Sequence, residues 1–458
     1  MTASPRAAHD GDGRAISDGH DVDLAILGGG AAGLALARRL AAAGTALRVV
    51  VIEPRERYTD DRSWGFWSSG EHDHTPLVAA RWDSWSWHRD GAPASDAVAH
   101  RSAGTRYELL RAADVAAHAL AAIEASPAVE LRLGVHAHEV VARSGSGLRI
   151  RTDDGTSTAR WVVDTRPRAA DALLYQCFAG SEVQHGGRLD LAALGMTTGT
   201  AGLMTGMTTD ADGFGFTYVL PLEATTALVE WTRFSPHPLP AARLAAERDA
   251  RLAELGIAPA DGGVVVREEA GTLRMGRVDP AGAAEPVVAD PPGLVRAGAA
   301  GGALRDATGY GFQRIERWAE ACAAALLRGE PPLPHPPEPW ARRQMDRIFL
   351  QALRARPERT PEYFAALAAG VPAASLMRFL TDAARPGDLA RIILALPKLP
   401  FLAEIPDRRR ALVAQAAEER AAVRAAARLA RRRPAESPRV SAAPTTSTRA
   451  RHPESARA

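Results

Sequence analysis

The chain has 458 residues, of which 46% are hydrophobic, and this is enough apolar surface for two or three domains with buried cores. Its 56 lysines and arginines nearly balance its 54 aspartates and glutamates, and the net charge of +2 predicts no nucleic-acid partner. The two cysteines, Cys177 and Cys322, share no metal-ligand spacing, so we predict neither a disulfide framework nor a metal site, in keeping with a reducing cytoplasm.

The amino-terminal segment, residues 1–20, is polar and rich in glycine and aspartate. Because it lacks an apolar stretch, we expect a disordered leader and no secretory signal. Nowhere does the chain reach the roughly 18 consecutive apolar residues that a membrane-spanning helix needs. We therefore predict a cytoplasmic protein that associates with membranes only peripherally.

The first folded segment has the spacing of a dinucleotide-binding motif. In chain order it contains an apolar strand (23–27), the three glycines Gly28, Gly30 and Gly33, a helix (34–43) and a second strand (48–53) that ends in Glu53. The glycines permit a tight turn, a close approach to a pyrophosphate and close helix packing. The helix N-terminus attracts phosphates, and Glu53 can accept hydrogen bonds from a ribose diol. The unit therefore predicts a dinucleotide site.

Further along the chain the pattern predicts a β-rich middle and a helical end. We predict helices over 107–124 and 312–327, strands over 129–141, 147–152, 161–164 and 293–298, a β-rich stretch over 176–276, and a proline-rich linker over 331–339. The resulting fold class is α/β, with an inserted antiparallel β-sheet domain and a helical carboxy-terminal region. The predicted parts are a Rossmann-like FAD-binding domain (21–175 and 290–330), a substrate domain (176–289), a helical region (340–432) and a disordered basic tail (433–458).

A second glycine-rich element favours FAD over NAD as the dinucleotide. It follows a short strand at 298–302, and a β-rich domain separates it from the first motif. Near the flavin ring we expect backbone N–H groups and permissive geometry from Gly301, Gly302, Thr308 and Gly309.

Two charged residues have two interpretations each. Arg62 either meets a flavin phosphate or pairs with Asp60 or Asp61. Asp164 ends its strand, where it either contacts the cofactor or caps the turn into Arg166.

Five stretches together resemble the lycopene cyclases of bacteria and plants. They follow the family's order and span roughly residues 21–402: the glycine motif with 62–67, 163–167 with 176–180, 216–222 with 228–232, 298–302 with 308–312, and 396–402. The most specific are the Tyr-Val-Leu-Pro-Leu strand at 218–222 and the Thr-Gly-Tyr-Gly-Phe element at 308–312.

The resemblance implies ring closure on lycopene, a polyene hydrocarbon, with FAD in its reduced form and no net redox change. It also implies that Glu230, which matches the first glutamate of the family's Phe-Leu-Glu-Glu-Thr motif, is the acid/base residue. Trp231 stands where the second acid of that motif would be, so Glu230 acts alone or with another acid. We expect NADPH or a reductase as the source of electrons.

Ring closure needs a proton delivered to a terminal alkene in a dry, apolar site that also stabilises a cation. Glu230 shares a strand face with Leu228 and Thr232, a pattern that suits general acid/base work but also occurs in glutamates that face solvent. Six aromatic residues either line a hydrocarbon tunnel or belong to the ordinary core: Trp64, Phe66, Trp67, Trp82, Trp85 and Trp87.

Other functions stay open at this point. A FAD monooxygenase or halogenase is disfavoured because the run 296–302 lacks the usual Gly-Asp pair. A prenyl reductase, or an inactive carotenoid- or flavin-binding protein, is a further alternative. The apolar, proline-interrupted stretch 392–402 either dips into a bilayer or covers the β domain. The ring type and the number of ends cyclised are not readable from the sequence.

Overall fold

A computed structural model describes residues 20–143, 146–168, 170–187, 189–194, 196–277, 290–402 and 404. The predicted tail, the end of the predicted helical region and nearly all of the predicted leader lie outside the described residues. Among those described, no helix is both long enough and apolar enough to cross a bilayer.

The first part of the chain supplies most of one sheet. Its elements are β1 (Val22–Leu27), α1 (Ala31–Ala42), β2 (Val49–Glu53), β3 (Ser63–Ser68), β4 (Val78–Trp82), β5 (Ser84–Arg89), β6 (Val98–Arg101), β7 (Arg106–Arg111), α2 (Ala112–Glu124), β8 (Val129–Leu133), β9 (Ala137–Ala142), β10 (Leu148–Thr152) and β11 (Gly155–Asp164).

The middle of the chain consists of long strands and one helix, and the last part is mainly helical. The middle elements are β12 (Ala172–His185), β13 (Thr200–Asp210), β14 (Gly213–Glu223), β15 (Thr226–Ser235), α3 (Ala241–Glu254) and β16 (Gly263–Arg277). The last ones are β17 (Leu294–Arg296), α4 (Phe312–Leu327), α5 (Trp340–Ala355), α6 (Thr360–Gly370), α7 (Ala373–Leu380) and α8 (Pro386–Ala395).

The first sheet has the order β8-β2-β1-β11-β10-β9, with β17 also paired to β11. Strands β8, β2, β1, β11 and β17 are mutually parallel, whereas β10 is antiparallel to β11 and β9 is antiparallel to β10. Every residue of β2 is buried, because the sheet is covered on both faces. Val49 and Val51 pack in a core with helices α1, α2 and α4, whereas Val50 and Ile52 pack in a second core with residues of β1, β10 and β11. The predicted α/β fold with a Rossmann-like FAD/NAD(P)-binding domain is thereby confirmed.

The second sheet is built mostly from antiparallel neighbours in the order β16-β12-β15-β14-β13-β5-β6. Two of its strands, β5 and β6, come from a stretch that the sequence prediction assigns to the FAD-binding domain. They join this sheet because Trp85 and Trp87 bury their rings in its core, where they are 0% and 7% exposed. A small sheet of β3, β7 and β4 accompanies the two larger ones.

Two secondary-structure predictions need correction, one helix was missed, and one helix is confirmed. The strand predicted over 129–141 is in fact two strands, β8 and β9, at opposite edges of the first sheet. The predicted helix over 107–124 is wrong at its start, because Arg106–Arg111 forms β7 between β3 and β4. Only Tyr107, Leu109 and Leu110 are apolar in this short segment, and periodicity over so few residues does not separate a strand from the start of a helix. The helix α3 within the β-rich region was not predicted. The helix over 312–327 is confirmed with the predicted bounds.

A buried ion pair joins the second glycine-rich element to the carboxy-terminal helices. Arg305 is 1% exposed and donates to both carboxylate oxygens of Asp346 on α5, at 3.1 and 3.0 Å. It also donates to the carbonyl oxygen of Phe379 on α7. Because Arg305 precedes Thr308 by three residues, this pair holds the loop that leads into α4.

Candidate active site

The turn between β1 and α1 leaves room for a phosphate group. Gly28 has a φ of +95°, and a Cβ on Gly33 would lie 1.9 Å from the Gly28 carbonyl oxygen, so the helix packs directly on the turn. At Gly30, by contrast, no atom of the described chain lies within 4 Å of the position of a Cβ. No side chain caps this helix N-terminus within the described chain, so its N–H groups are free to meet an anion.

The acid at the end of β2 lies against the same turn. Glu53 is buried, and its Oε2 accepts a hydrogen bond from the Gly29 N–H at 2.5 Å. Its Oε1 accepts from the backbone N–H and Nε of Arg55, at 3.0 and 2.7 Å. Burial alone would raise the pKa of Glu53, but these donors and the Arg55 charge lower it, so the carboxylate is an acceptor beside the glycine turn.

Arg62 and Asp164, for which the sequence left two interpretations each, both form ion pairs within the chain. Arg62 is bound to Asp61, with Nε–Oδ1 and Nη2–Oδ2 distances of 3.0 and 2.6 Å. Asp164 is buried and accepts hydrogen bonds from Arg166 at 2.8 and 2.9 Å and from Arg296 at 3.1 Å. Burial alone would raise the pKa of Asp164, but the hydrogen bonds and charges of these arginines lower it. The observed contacts are those of the structural interpretations, and a cofactor role for either residue stays a prediction.

The four predicted flavin-side residues divide into two groups. Gly301 and Gly302 lie in the turn after β17, where a Cβ on Gly301 would be 2.5 Å from the Arg296 carbonyl oxygen. Thr308 and Gly309 lie farther along and line a large pocket. Gly309 has a φ of +70°, which favours glycine at that position.

The pocket contains about 1030 Å³ of space between protein atoms, a volume that includes open solvent. Its walls are rich in aromatic side chains: Trp64, Phe66, Trp67, Tyr107, Phe178, Tyr218, Tyr310 and Phe312. Of the six aromatic residues singled out in the sequence, only the first three line it. The other three, Trp82, Trp85 and Trp87, are buried in the core of the β domain.

Glu230 lies on β15 and faces this pocket together with Leu228. Its side chain is half-buried, and its Oε1 accepts a hydrogen bond from the Thr232 hydroxyl at 3.0 Å. Burial raises the pKa of Glu230 well above its ordinary value, and the charge and hydrogen bond of Glu269 raise it further. These effects favour the protonated form of the carboxyl group.

Trp231, which occupies the place of the family motif's second acid, points to the other face of the sheet. Its indole Nε1 donates to Glu247 on α3 at 2.6 Å. Side chains alternate along a strand, so a carboxylate at position 231 would not reach the pocket of Glu230.

A second carboxylate does face the pocket, and sequence reasoning missed it. Glu269 lies on β16, and β12 runs between β15 and β16. Gly180 of β12 is paired with Glu230 on one side and with Glu269 on the other. In the sequence, Arg267-Glu268-Glu269 resembles an ordinary exposed charge run, and only the strand register could have revealed the pairing.

Three tyrosines, Tyr107, Tyr218 and Tyr310, line the pocket wall together with Glu230. Burial raises the pKa of all three, so the hydroxyls are neutral and their rings present electron-rich faces. Trp67 packs edge-on against Tyr107 and Tyr310, with ring centroids 5.0 and 5.3 Å apart. The wall thus combines proton donors with faces that attract positive charge.

These features define a class: an α/β protein with a Rossmann-like dinucleotide-binding domain, a long antiparallel sheet and an acid-bearing pocket. Two solved structures share the fold. A geranylgeranyl bacteriochlorophyll reductase-like protein of Thermoplasma acidophilum covers 84% of this chain and 98% of its own, with a TM-score of 0.50 and 15% identity. The p-nitrophenol 4-monooxygenase of Pseudomonas putida covers 84% and 96%, with a TM-score of 0.50 and 16% identity.

The family follows from the sequence match. The family model described as lycopene cyclase protein matches residues 23–405, and the chain belongs to this family. A lycopene beta-cyclase of Pseudescherichia vulneris is 26% identical over 425 residues, which cover 84% of this chain and 99% of that protein. The resemblance identified from five stretches of sequence is confirmed.

Proposed function

We propose that this protein is a lycopene cyclase that uses reduced FAD to close ionone rings, of the β type, at the ends of lycopene. The observation that carries the proposal is the position of Glu230, an acid of raised pKa, on the wall of an aromatic pocket. The family match supports the carotenoid substrate. Because the product is an isomer of the substrate, the enzyme class is an intramolecular lyase or isomerase of carotenoid biosynthesis.

The proposed reaction moves one proton in and one proton out. Glu230 gives its proton to the terminal alkene carbon, so an O–H bond breaks and a C–H bond forms. The neighbouring double bond attacks the tertiary cation and closes the ring. A ring C–H bond then breaks, and its proton returns to the Glu230 carboxylate. The faces of Trp67, Tyr218 and Tyr310 stabilise the positive charge while it exists.

The glycine turn supports FAD as the cofactor. Gly28, Gly30 and Gly33 would hold the pyrophosphate and Glu53 the ribose diol, with Thr308 and Gly309 on the flavin side. When bound in reduced form, the flavin supplies an electron-rich ring that favours positive charge nearby. We infer that its electrons come from NADPH or from a reductase.

Gly33→Ala is expected to weaken FAD binding by about tenfold to a hundredfold, because overpacking at a close contact costs about 1–3 kcal/mol. The new Cβ would lie 1.9 Å from the Gly28 carbonyl oxygen and force α1 away from the turn. Flavin fluorescence titration of the apoprotein measures the affinity. Gly70→Ala, whose Cβ would meet no described atom within 4 Å, serves as the control. Equal affinity in Gly33→Ala and wild type would mean that the pyrophosphate binds elsewhere.

Expression in cells that accumulate lycopene tests the function itself. The cyclase reading predicts an orange or yellow carotenoid of the same mass as lycopene. A product that gains two hydrogens and consumes NADPH would identify a prenyl reductase, and one that gains oxygen or halogen a monooxygenase or halogenase. Unchanged lycopene beside soluble, flavin-loaded protein would reject all of these activities on this substrate.

We further propose that the protein collects lycopene from a lipid surface, because this hydrocarbon does not dissolve in water. Four large apolar side chains at and after α8 are 52–82% exposed: Ile393, Leu394, Leu399 and Leu402. Burying such side chains in the acyl region is favourable, which supports a peripheral attachment. A location on the cytoplasmic side of that membrane stays a prediction.

The double variant Leu394→Ser/Leu399→Ser is expected to bind lipid vesicles at least tenfold more weakly than wild type, since each buried leucine contributes about 1.5–3 kcal/mol. Vesicle co-sedimentation measures the partition. The control, Leu133→Ser/Leu327→Ser, changes two leucines on β8 and α4 that are 37% and 46% exposed. An equal loss in both double variants would contradict a lipid contact made by the α8 region.

A further inference from the structure

Glycine at position 180 brings two carboxyl groups together. Strand β12 separates Glu230 from Glu269, and an ordinary side chain on it would stand between them. A Cβ on Gly180 would lie 3.1 Å from Glu269 Cγ and 3.2 Å from Glu230 Cβ, closer than most Cβ contacts. Without it, the two side chains are free to approach each other across the strand, and both line the same pocket. Two carboxyl groups held this close do not both ionise readily, because their negative charges repel each other.

The negative charge of this pair belongs on Glu269. Its Oε2 accepts hydrogen bonds from Arg267 Nη1 at 2.7 Å and from the Ser63 hydroxyl at 2.6 Å. Arg267 also donates to the Ser63 hydroxyl at 2.9 Å, so that Arg267, Ser63 and Glu269 are all hydrogen-bonded to one another. Glu230 has the neutral Thr232 hydroxyl as its other partner. A guanidinium favours the ionised form of the carboxyl that it contacts, and the proton therefore stays on Glu230.

We propose that Glu230 and Glu269 hold a single proton between them across Gly180, with Glu269 as the positioning residue that keeps it on Glu230. The catalytic use of the pair rests on the proposed function, whereas its existence does not. Glu269, which lies two strands away on β16, supplies a second carboxylate to the pocket that position 231 does not face. The pair resembles other carboxyl pairs in proteins, in which the negative charge of one acid prevents its neighbour from ionising.

Several other titratable groups lie near the pair and affect the pKa values of its two carboxyl groups. On the pocket side these are the neutral tyrosines Tyr107, Tyr218 and Tyr310. Behind Glu269, Arg267 lies 3.3 Å from Glu182 and 3.5 Å from Asp60, and Glu182 binds Arg111 at 2.7 Å. Arg111 and Glu182 also line a second cavity. Because Arg267 has these further partners, Glu269→Gln does not leave it without a counter-charge, and the variant is expected to fold.

Infrared difference spectroscopy on the full chain tests the pair without any turnover. Wild type is expected to show the carbonyl band of a protonated carboxyl group that persists above neutral pH and is absent in Glu230→Gln. In Glu269→Gln the same band should titrate about one pH unit or more lower, because the charge that disfavours ionisation of Glu230 is gone. Gly180→Ala, which keeps both acids but separates them, should shift the band in the same direction.

The pH profile of ring closure gives the second readout. The protonated form of Glu230 is the active one, and its pKa is raised, so activity is lost as pH rises through that pKa. Glu269→Gln should move this alkaline limb to lower pH by the same amount as the infrared band, and Glu269→Asp should restore part of the shift. Glu268→Gln is the matched control: it removes the same charge from the exposed face of β16 and should leave the limb in place.

The outcomes separate the two proposals. If wild type closes rings but neither the band nor the limb moves in Glu269→Gln and Gly180→Ala, the carboxyl pair is wrong and the cyclase function stands. If the band shifts as expected but flavin-loaded wild type leaves lycopene unchanged, the pair stands and the function is wrong. A uniform loss of rate at every pH, with an unmoved limb and band, would assign Glu269 a purely structural role and overturn the pair.

Discussion

Glu230→Gln is expected to lower the rate of ring closure by about a hundredfold to ten-thousandfold, the range that a positioned general acid contributes. An amide keeps the shape of the side chain and its place on β15, but it has no acidic proton for the alkene. Thr232 donates its hydrogen bond to Oε1, which the amide oxygen can replace, so the fold and the pocket should survive. The expected phenotype is a flavin-loaded, folded protein that leaves lycopene red.

Flavin content, thermal stability and initial rate, measured together, check this expectation. Glu223→Gln is the matched control, because Glu223 is exposed at the end of β14 and removing its charge should leave the rate unchanged. A Glu230→Gln enzyme with near wild-type rate would move the acid to another residue. The nearest carboxylate is Glu269, whose Oε2 is held by Arg267.

Asp346→Asn is expected to lower the free energy of unfolding by about 3–5 kcal/mol, because it leaves the buried Arg305 guanidinium without its counter-charge. Both side chains are at most 2% exposed, so water cannot replace the lost partner. The damage should reach the pocket as well, since Arg305 fixes the loop that carries Thr308, Gly309 and Tyr310 to its wall.

Urea unfolding followed by tryptophan fluorescence measures this loss. The control is Asp249→Asn, which breaks an ion pair to Arg248 in which the aspartate is 61% exposed. Exposed pairs contribute about 0–1 kcal/mol, so this variant should unfold close to wild type. Similar small losses in both variants would mean that the Arg305–Asp346 pair does not anchor the carboxy-terminal helices.

Local sequence patterns predicted the parts of the molecule that local physics determines. The strand–glycine–helix–strand unit from β1 to β2 combines an apolar run, a turn that needs glycine and a helix that must pack closely, all within one continuous segment. The α4 helix was predicted with its full bounds for the same reason. Glu230 was identified through the family motif. The alternation of side chains along its strand also allowed Glu230 to face solvent, so the strand pattern by itself did not identify the acid.

What the sequence did not reveal depends on contacts between distant segments. Glu269 lies 39 residues after Glu230, and the two meet only because β12 pairs with both of their strands in a particular register. The strand character of 106–111 comes from its place between β3 and β4. The β5–β6 hairpin joins the second sheet through a parallel pairing with β13, more than 100 residues away in the chain. No local period encodes such pairings.

Isotope transfer tests whether an exchangeable carboxyl proton starts ring closure. Reduced, flavin-loaded enzyme is equilibrated in D2O and mixed anaerobically with a smaller amount of lycopene, so that the first ring forms in a single turnover. Mass spectrometry of the product should then show one deuterium in that ring, since the acid adds a deuteron and the ring loses a proton. A cyclic product without deuterium would contradict the account.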